Sequence, residues 1–458
     1  MKSTRGAGRR GWRAGLAAWV KFLFFILLVA PAVSFAGEGG LSLNDAWRLA
    51  LKYNEQIAIA AESMERSALD IDRAYSRLLP DITLEGSYTR YSDKKSGEDF
   101  LIQPRDSSRF DVRVTQSIYG GGRELSGLRQ AKKTRLLTEK AAREVREAIV
   151  MDTALAYYGL LKAEKEFGIR EASLKRAGEQ LRVARARLEA GSATKADVLR
   201  AEAEESEKTA QFVKASAGRK DAEELLRRII GIEGPSWTAG WPARPAASGS
   251  GFSVDKGVDE LVEIAFDKRK DYQQKHIAED IAREGITYAK GYFLPNLSLE
   301  GVYSHRDQSP KTGFFLDESA YATVTLSLPV FEGGLRKAEL SQARSRLRQA
   351  ELERIGLKRE VALEVRRAHN AMETSSKVMD AYKKQAAFAG ENYTVVFKQY
   401  QYGLASASDL VGADTTLVAA ELGLTGASYD YELAVIGVKR SVGTLLEDAE
   451  NSLALEAR

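Results

Sequence analysis

The chain of 458 residues contains no cysteine. Disulfides, thiolate metal sites and a lipid-bearing cysteine behind an export cleavage site are therefore all excluded. Histidine is almost absent: His276, His305 and His369 are the only three, and none stands at a ligand spacing such as His-x-x-x-His. Proline is scarce, at nine residues, and each lies outside the segments that read as helix. After Phe35 no apolar run approaches the roughly 20 residues of a membrane-spanning helix, so any crossing of a bilayer must be made by strands. Also missing are GxxxxGK[ST], Gly-x-Ser-x-Gly, His-Glu-x-x-His and any aspartate cluster with calcium-loop spacing. The chain reads as a non-enzyme with no cofactor and no metal.

Charge excludes another class. The formal net charge is +4, yet Lys2, Arg5, Arg9, Arg10, Arg13 and Lys21 crowd the start with no acid among them. The apolar run Leu23 to Val29 follows, and Ser34-Phe35-Ala36 offers a small-x-small cleavage site, so residues 1–36 read as a secretory signal. Removing its six basic residues from the 68 leaves 62 against 64 acidic, a net of −2, and no case for nucleic-acid binding survives.

What the sequence does contain, it contains twice. LLPDITLEGSY at Leu78 to Tyr88 returns as FLPNLSLEGVY at Phe293 to Tyr303, with six of eleven positions identical. Ile118-Tyr119-Gly120-Gly121-Gly122 is echoed by Val330-Phe331-Glu332-Gly333-Gly334. Gly191-Ser192-Ala193 with Asp197-Val198 is echoed by Gly403-Leu404-Ala405 with Asp409-Leu410. The offsets are 215 residues for the first pair and 212 for the others, which marks a duplicated unit and not a short-period solenoid.

Each unit reads as short helix, strand, loop, strand, long helix, turn, medium helix. The first occupies residues 37–233, with helix Leu43 to Leu79, a hairpin at 81–119 and a helical pair at 123–232 (Arg123 to Ala190, then Thr194 to Ile232). A Gly-, Ser- and Pro-bearing linker fills 234–257. The second unit, 258–446, has helix Val258 to Tyr292, a hairpin at 296–330 and a pair at 335–446 (Leu335 to Tyr402, then Ser406 to Leu446), and 447–458 form a tail. Pro80 and Pro295 stand where strands begin, Ser42-Leu43-Asn44-Asp45 resembles a capping box, and the glycine turns divide the helical pairs. Gly121 and Gly122, repeated as Gly333 and Gly334, read as backbone bends between strand and helix, not as a phosphate cradle. A 68-residue helix is on the order of 100 Å long, the scale of a rod or a tube wall and not of a globular core.

The strands alternate. Ile82, Leu84, Gly86 and Tyr88 point one way and Asp81, Thr83, Glu85 and Ser87 the other; Val324, Leu326 and Leu328 oppose Thr323, Thr325 and Ser327. Each is about ten residues long, enough to cross a bilayer when tilted. A soluble half-buried sheet would alternate as well, but the loops at Ser92 to Ser108 and Asp307 to Ser319 are long and polar, and no helix is apolar enough to cover a sheet. Four strands cannot close a barrel, so other copies must meet the open edges: two copies give eight strands and three give twelve.

In these features the mature sequence, essentially throughout, resembles the TolC-like outer-membrane efflux protein family. The leucine-proline strand starts, the Tyr/Phe-x-Gly-Gly joins and the paired Gly-x5-Asp-Val/Leu turns carry the likeness in combination. The resemblance implies a mainly α protein with a transmembrane β-barrel, in which a homotrimer closes twelve strands in outer-membrane lipid and its long helices form an α-barrel across the periplasm. It implies a passive exit duct for a tripartite efflux pump or type I secretion system. The partners would be a periplasmic membrane-fusion adaptor and an inner-membrane pump of RND or ABC type. The linker and tail would form a belt around the tube. The turns Gly191, Ser192, Ala193 and Gly403, Leu404, Ala405 would lie at the periplasmic end, where the adaptor docks. Asp197 and Tyr400 match residues that hold the entrance closed, and Asp409 matches an aspartate ringing the constriction. The chain departs from the family's best-studied member at Ala196, Ala405 and Gly412, where that member has threonine, arginine and a second ring aspartate. Helix capping is the plainer role for Asp197 and Asp409, and the two roles are compatible. The competing expectation is a soluble periplasmic adaptor or rod.

Overall fold

The computed structural model describes residues 41–97, 101–232, 257–312 and 315–456. The signal at 1–36 and nearly all of the linker lie outside them. The first unit opens with α1 (Leu43–Tyr53) and α2 (Glu55–Ser76). Ser42 caps α1 reciprocally with Asp45, as its sequence signature required. The continuous helix expected from Leu43 to Leu79 is instead broken at Asn54, whose ψ is 130°.

The break answers to the end of a distant helix. The Asn54 side chain accepts from the Gln56 amide (2.9 Å) and donates to the Ile229 carbonyl (2.8 Å). Gly231 fits against it so closely that a Cβ would lie 2.7 Å from the Tyr53 carbonyl oxygen. The second unit repeats this. Its α5 (Val258–Lys268) and α6 (Lys270–Gly291) part at Arg269, which donates to the Ser441 carbonyl (3.0 Å) and packs on Gly443. The expected helix from Val258 to Tyr292 is thus also two helices.

The long helices match their expected starts, and the two longest their expected ends, to about a residue, while the second helix of the first pair stops at Ile230 and not Ile232. They are α3 (Arg123–Glu189) with α4 (Lys195–Ile230), and α7 (Leu335–Gln401) with α8 (Ala407–Val442). The helix expected to run to Leu446 stops at Val442, where Gly443 takes φ 81°. The tail then re-enters helix as α9 (Leu445–Glu456), which packs against α1, α3 and α8 with Leu445 and Ala449 buried. That is the side of the expected belt the described residues cover.

The four main strands form one antiparallel sheet in the order β1 (Asp81–Arg90), β4 (Asp106–Gly120), β5 (Asn296–Ser309), β6 (Glu318–Ser327). A two-stranded ladder, β2 (Lys95–Ser96) with β3 (Leu101–Gln103), ornaments the first loop. Registers repeat with the duplication: Asp81 opposes Thr115, and Asn296 opposes Ser327. The central pairing joins the second strand of one unit to the first strand of the other. At 15 and 14 residues, β4 and β5 exceed the length expected of them. Among the described residues β1 and β6 are left as open edges.

One face of the sheet is apolar and bare: Ile82, Leu84, Tyr88, Val324 and Leu326 are 64% to 69% exposed. The other is polar and interlocked. Asp111 and Ser304 are buried there, joined at 2.6 Å, with Arg109 on Asp111 (2.6 Å) and Arg113 on Glu300 (2.9 Å). Among the described residues no helix is long and apolar enough to cross a membrane.

Candidate functional site

The two helical hairpins end in turns built alike. Gly191 (φ 73°) and Gly403 (φ 77°) take the left-handed backbone that lets each chain reverse. Behind them the Ser192 amide reaches back to the Arg187 carbonyl, and the Leu404 amide to the Gln399 carbonyl, both at 2.8 Å. The next helices open on capping boxes. Asp197 accepts from the Thr194 amide (2.9 Å) and hydroxyl (2.7 Å); Asp409 accepts from the Ser406 amide (3.0 Å) and hydroxyl (2.7 Å).

These bonds lower both carboxylates below the usual range. The Thr194 amide and then its hydroxyl act on Asp197, and the Ser406 hydroxyl and then its amide on Asp409. Both aspartates therefore cap helices and stay ionised. Asp409 is exposed, whereas Asp197 is half-buried.

Tyr400 is buried near the same end. Burial raises its hydroxyl above the ordinary tyrosine range, against the opposing pull of Arg187. It makes no hydrogen bond to Asp197 among the described residues. Arg187 stands between them, a residue that sequence reasoning missed. Its guanidinium lies 5.1 Å from the Tyr400 ring centroid and donates to the carbonyls of Tyr400 (3.2 Å) and Ser192 (3.1 Å), tying the end of one hairpin to the other. A basic residue one turn before Gly191 was the signal available.

A second tie was also missed. Asp414, 2% exposed on α8, receives Arg176 Nε at 2.6 Å and the Ser173 hydroxyl at 3.1 Å, both from α3. Lys208 of α4 lies 3.8 Å from the same carboxylate and 2.9 Å from Glu204. Tyr393 of α7 faces the Arg176 guanidinium at 5.4 Å. All four long helices thus meet at one buried charge network. Farther along α3, Tyr158 approaches Tyr429 of α8, with ring centroids 6.0 Å apart. The signal in the sequence was an isolated acid between Val411 and Val418.

The arrangement holds a column of helices beneath a sheet with a bare apolar face, and among the described residues no group of three or more His, Cys, Asp or Glu is placed to hold a metal. That is the build of a channel wall. A family model for outer membrane efflux proteins matches residues 46–232 and 261–444, and the chain belongs to that family. It is 26% identical over 449 residues to the outer membrane protein TolC of Escherichia coli, covering 92% of this chain and 87% of that one. It is 25% identical over 411 residues to TolC of Vibrio cholerae, covering 89% and 91%. Among solved structures, the CmeC outer membrane channel of Campylobacter jejuni superposes with a TM-score of 0.77 at 17% identity, over 93% of this chain and 94% of that one. The chain is an outer-membrane exit duct for efflux or type I secretion, with its helical tunnel in the periplasm.

Proposed function

We propose that three copies close this wall into a continuous duct, gated by Asp197, Tyr400 and Asp409 and opened by a periplasmic adaptor that docks at the turns Gly191 to Ala193 and Gly403 to Ala405 and is linked to an inner-membrane pump. One observation carries the reading: β1 and β6 are unpaired edges of the same two strand types that pair as β5 and β4 at the sheet's centre. The edge of one copy is therefore already shaped for the opposite edge of the next. Two copies would give eight strands, whose interior side chains fill; three give twelve and leave a lumen lined by the polar face. Leu404 and Tyr402, 80% and 82% exposed at the second turn, offer the adaptor an apolar contact. Asp409, exposed and ionised, would stand three times around the axis and favour cations over anions.

The central register transfers to the open edges. Val112 opposes Tyr303, and the offsets of 212 and 215 convert that pair into Val324 opposite Tyr88 of the neighbouring copy. Because the chain lacks cysteine, Tyr88→Cys with Val324→Cys gives a clean test by oxidation. A ladder on non-reducing gels that ends at three chains supports the duct. Chains that stay single, or a ladder ending at two, would overturn it.

A further inference from the structure

We propose that the polar face of the sheet carries, near its loop end, a binding site for oxyanionic groups built from Arg109 and Arg306 and flanked by tyrosines, and that it serves organic anions as cargo. The inference rests on the trimeric duct proposed above, in which this face lines the lumen, and goes beyond it in naming a cargo chemistry.

Arg109 of β4 and Arg306 of β5 are direct cross-strand partners on that face. Like charges set opposite one another destabilise a sheet, so pairing alone gives no reason for the two. A single buried carboxylate holds both. Asp111, whose side chain is 4% exposed, meets Arg109 Nε at 2.6 Å. The Ser304 hydroxyl donates to Asp111 (2.6 Å) and accepts from Arg306 Nε (3.3 Å). Arg306 is exposed, and among the described residues this is its one side-chain hydrogen bond, with no ion pair beside it. Two guanidinium groups are therefore fixed from beneath by one charge, and the outer nitrogens of Arg306 are left without an acceptor.

On either side of this level charge is matched. Nearer the helices Arg113 meets Glu300 at 2.9 Å, and Glu85 stands across from Asp111. Toward the loops Lys311 takes Asp307 and Asp317, each at 3.1 Å. The unmatched cation lies between them.

The duplication completes the level. At the offsets of 212 and 215, Arg109 becomes Tyr321 and Arg306 becomes Tyr91, so Tyr321 of one copy faces Tyr91 of the next by the register that sets Val324 opposite Tyr88. Within one copy Tyr321 and Tyr91 are 51% and 39% exposed. Around a trimer an arginine pair then alternates with a tyrosine pair. Guanidinium forks fit carboxylate, sulfonate and phosphate oxygens. Phenol hydroxyls add donors, and their rings offer a face to an apolar body. A bare inorganic ion would use only the first of these features, and an organic anion uses all of them.

The test uses full-length protein in planar bilayers bathed in potassium chloride, with naphthalene disulfonate added on the loop side and inorganic phosphate as the comparison ion. The disulfonate is expected to interrupt single-channel current, and to do so at lower concentration than phosphate. Arg306→Gln, which breaks no ion pair, should raise its half-blocking concentration about ten-fold. Tyr321→Ala should bring the disulfonate and phosphate values together. Open channels that the disulfonate leaves unblocked would overturn the inference, and so would block unaltered by Arg306→Gln. Equal block of the unaltered protein by the two anions would overturn the cargo class. The Tyr88 and Val324 pair reports separately whether the trimer stands, so a failed site is told apart from a failed duct.

Discussion

Ile118 to Gly122 and Val330 to Gly334 are the same strand-to-helix join written twice, yet they sit in opposite surroundings. In the first, Gly121 is pressed to the end of α6, where an added Cβ would collide with the Gly291 carbonyl oxygen. In the second, Gly333 has nothing within 4 Å, and Val330 and Phe331 are 90% and 85% exposed. Both joins keep a left-handed glycine, with φ 68° and 61°. A contact closed inside the chain at one end is left open at the other. On the proposed trimer the missing half would belong to another copy: the offset of 215 places Ser76, at the end of α2, where Gly291 stands.

The largest effect should separate the buried carboxylate that ties α3 to α8 from its repeat-related counterpart. Asp414→Ala removes the shared carboxylate and leaves Arg176 and Lys208 buried without it, a loss of about 3–5 kcal/mol. Its counterpart Glu202→Ala removes a half-exposed ion pair and should cost under about 1 kcal/mol. Denaturant unfolding of the two variants measures the contrast. Equal losses would show that the burial of Asp414 adds nothing to its bonds.

Gly121→Ala and Gly333→Ala sharpen the comparison of the joins. Left-handed backbone costs a side chain about 1–2 kcal/mol at either place, and the collision with Gly291 adds to this at Gly121. On the trimeric reading Gly333→Ala should be as damaging in assembled trimers as Gly121→Ala, since the neighbouring copy would then supply the missing contact. Trimer melting temperatures decide it. A Gly333→Ala loss limited to backbone strain would mean that the second join stays bare.

Much of this comparison was legible in the sequence. The duplication gave both offsets, and proline placement with alanine-rich composition gave long-helix ends good to about a residue. Strand alternation identified the bare apolar face. The breaks at Asn54 and Arg269 were hidden, since nothing local forbids helix there and the carbonyls of Ile229 and Ser441 that the side chains seek are remote in sequence. The same holds for Asp414, whose partners lie more than 200 residues away. The helix in the tail escaped notice because Gly443 ends one helix and Thr444 begins another, a boundary that periodicity runs across.

The first long helix should also make stability respond to pH. Burial pushes Glu147 of α3 up to about 7 against the pull of Lys270, Arg269 and Arg440, with Asp271 adding to the rise. The folded state therefore holds a proton that the unfolded chain has lost, and stability falls as pH rises from about 4.3 to about 7, then levels off. Glu147→Gln should flatten that slope and gain about 1–3 kcal/mol at neutral pH. Its repeat-related counterpart in the second unit is Arg359, which is exposed, so Arg359→Gln should leave the slope unchanged. Melting curves across this range test the pair.

The smallest stability effect carries the most about function. Asp197 and Asp409 fill equivalent capping boxes, so either change to Ala should cost about 1 kcal/mol. If capping were their whole purpose, single-channel recordings would treat the two variants alike. Asp409 is the exposed one, and it precedes Gly412 on a helix face with no second acid to share its field. Asp409→Ala should therefore weaken cation selectivity and divalent-cation block, while Asp197→Ala leaves the selectivity ratio in place. Matching ion profiles for the two would reduce the ring to a pair of helix caps.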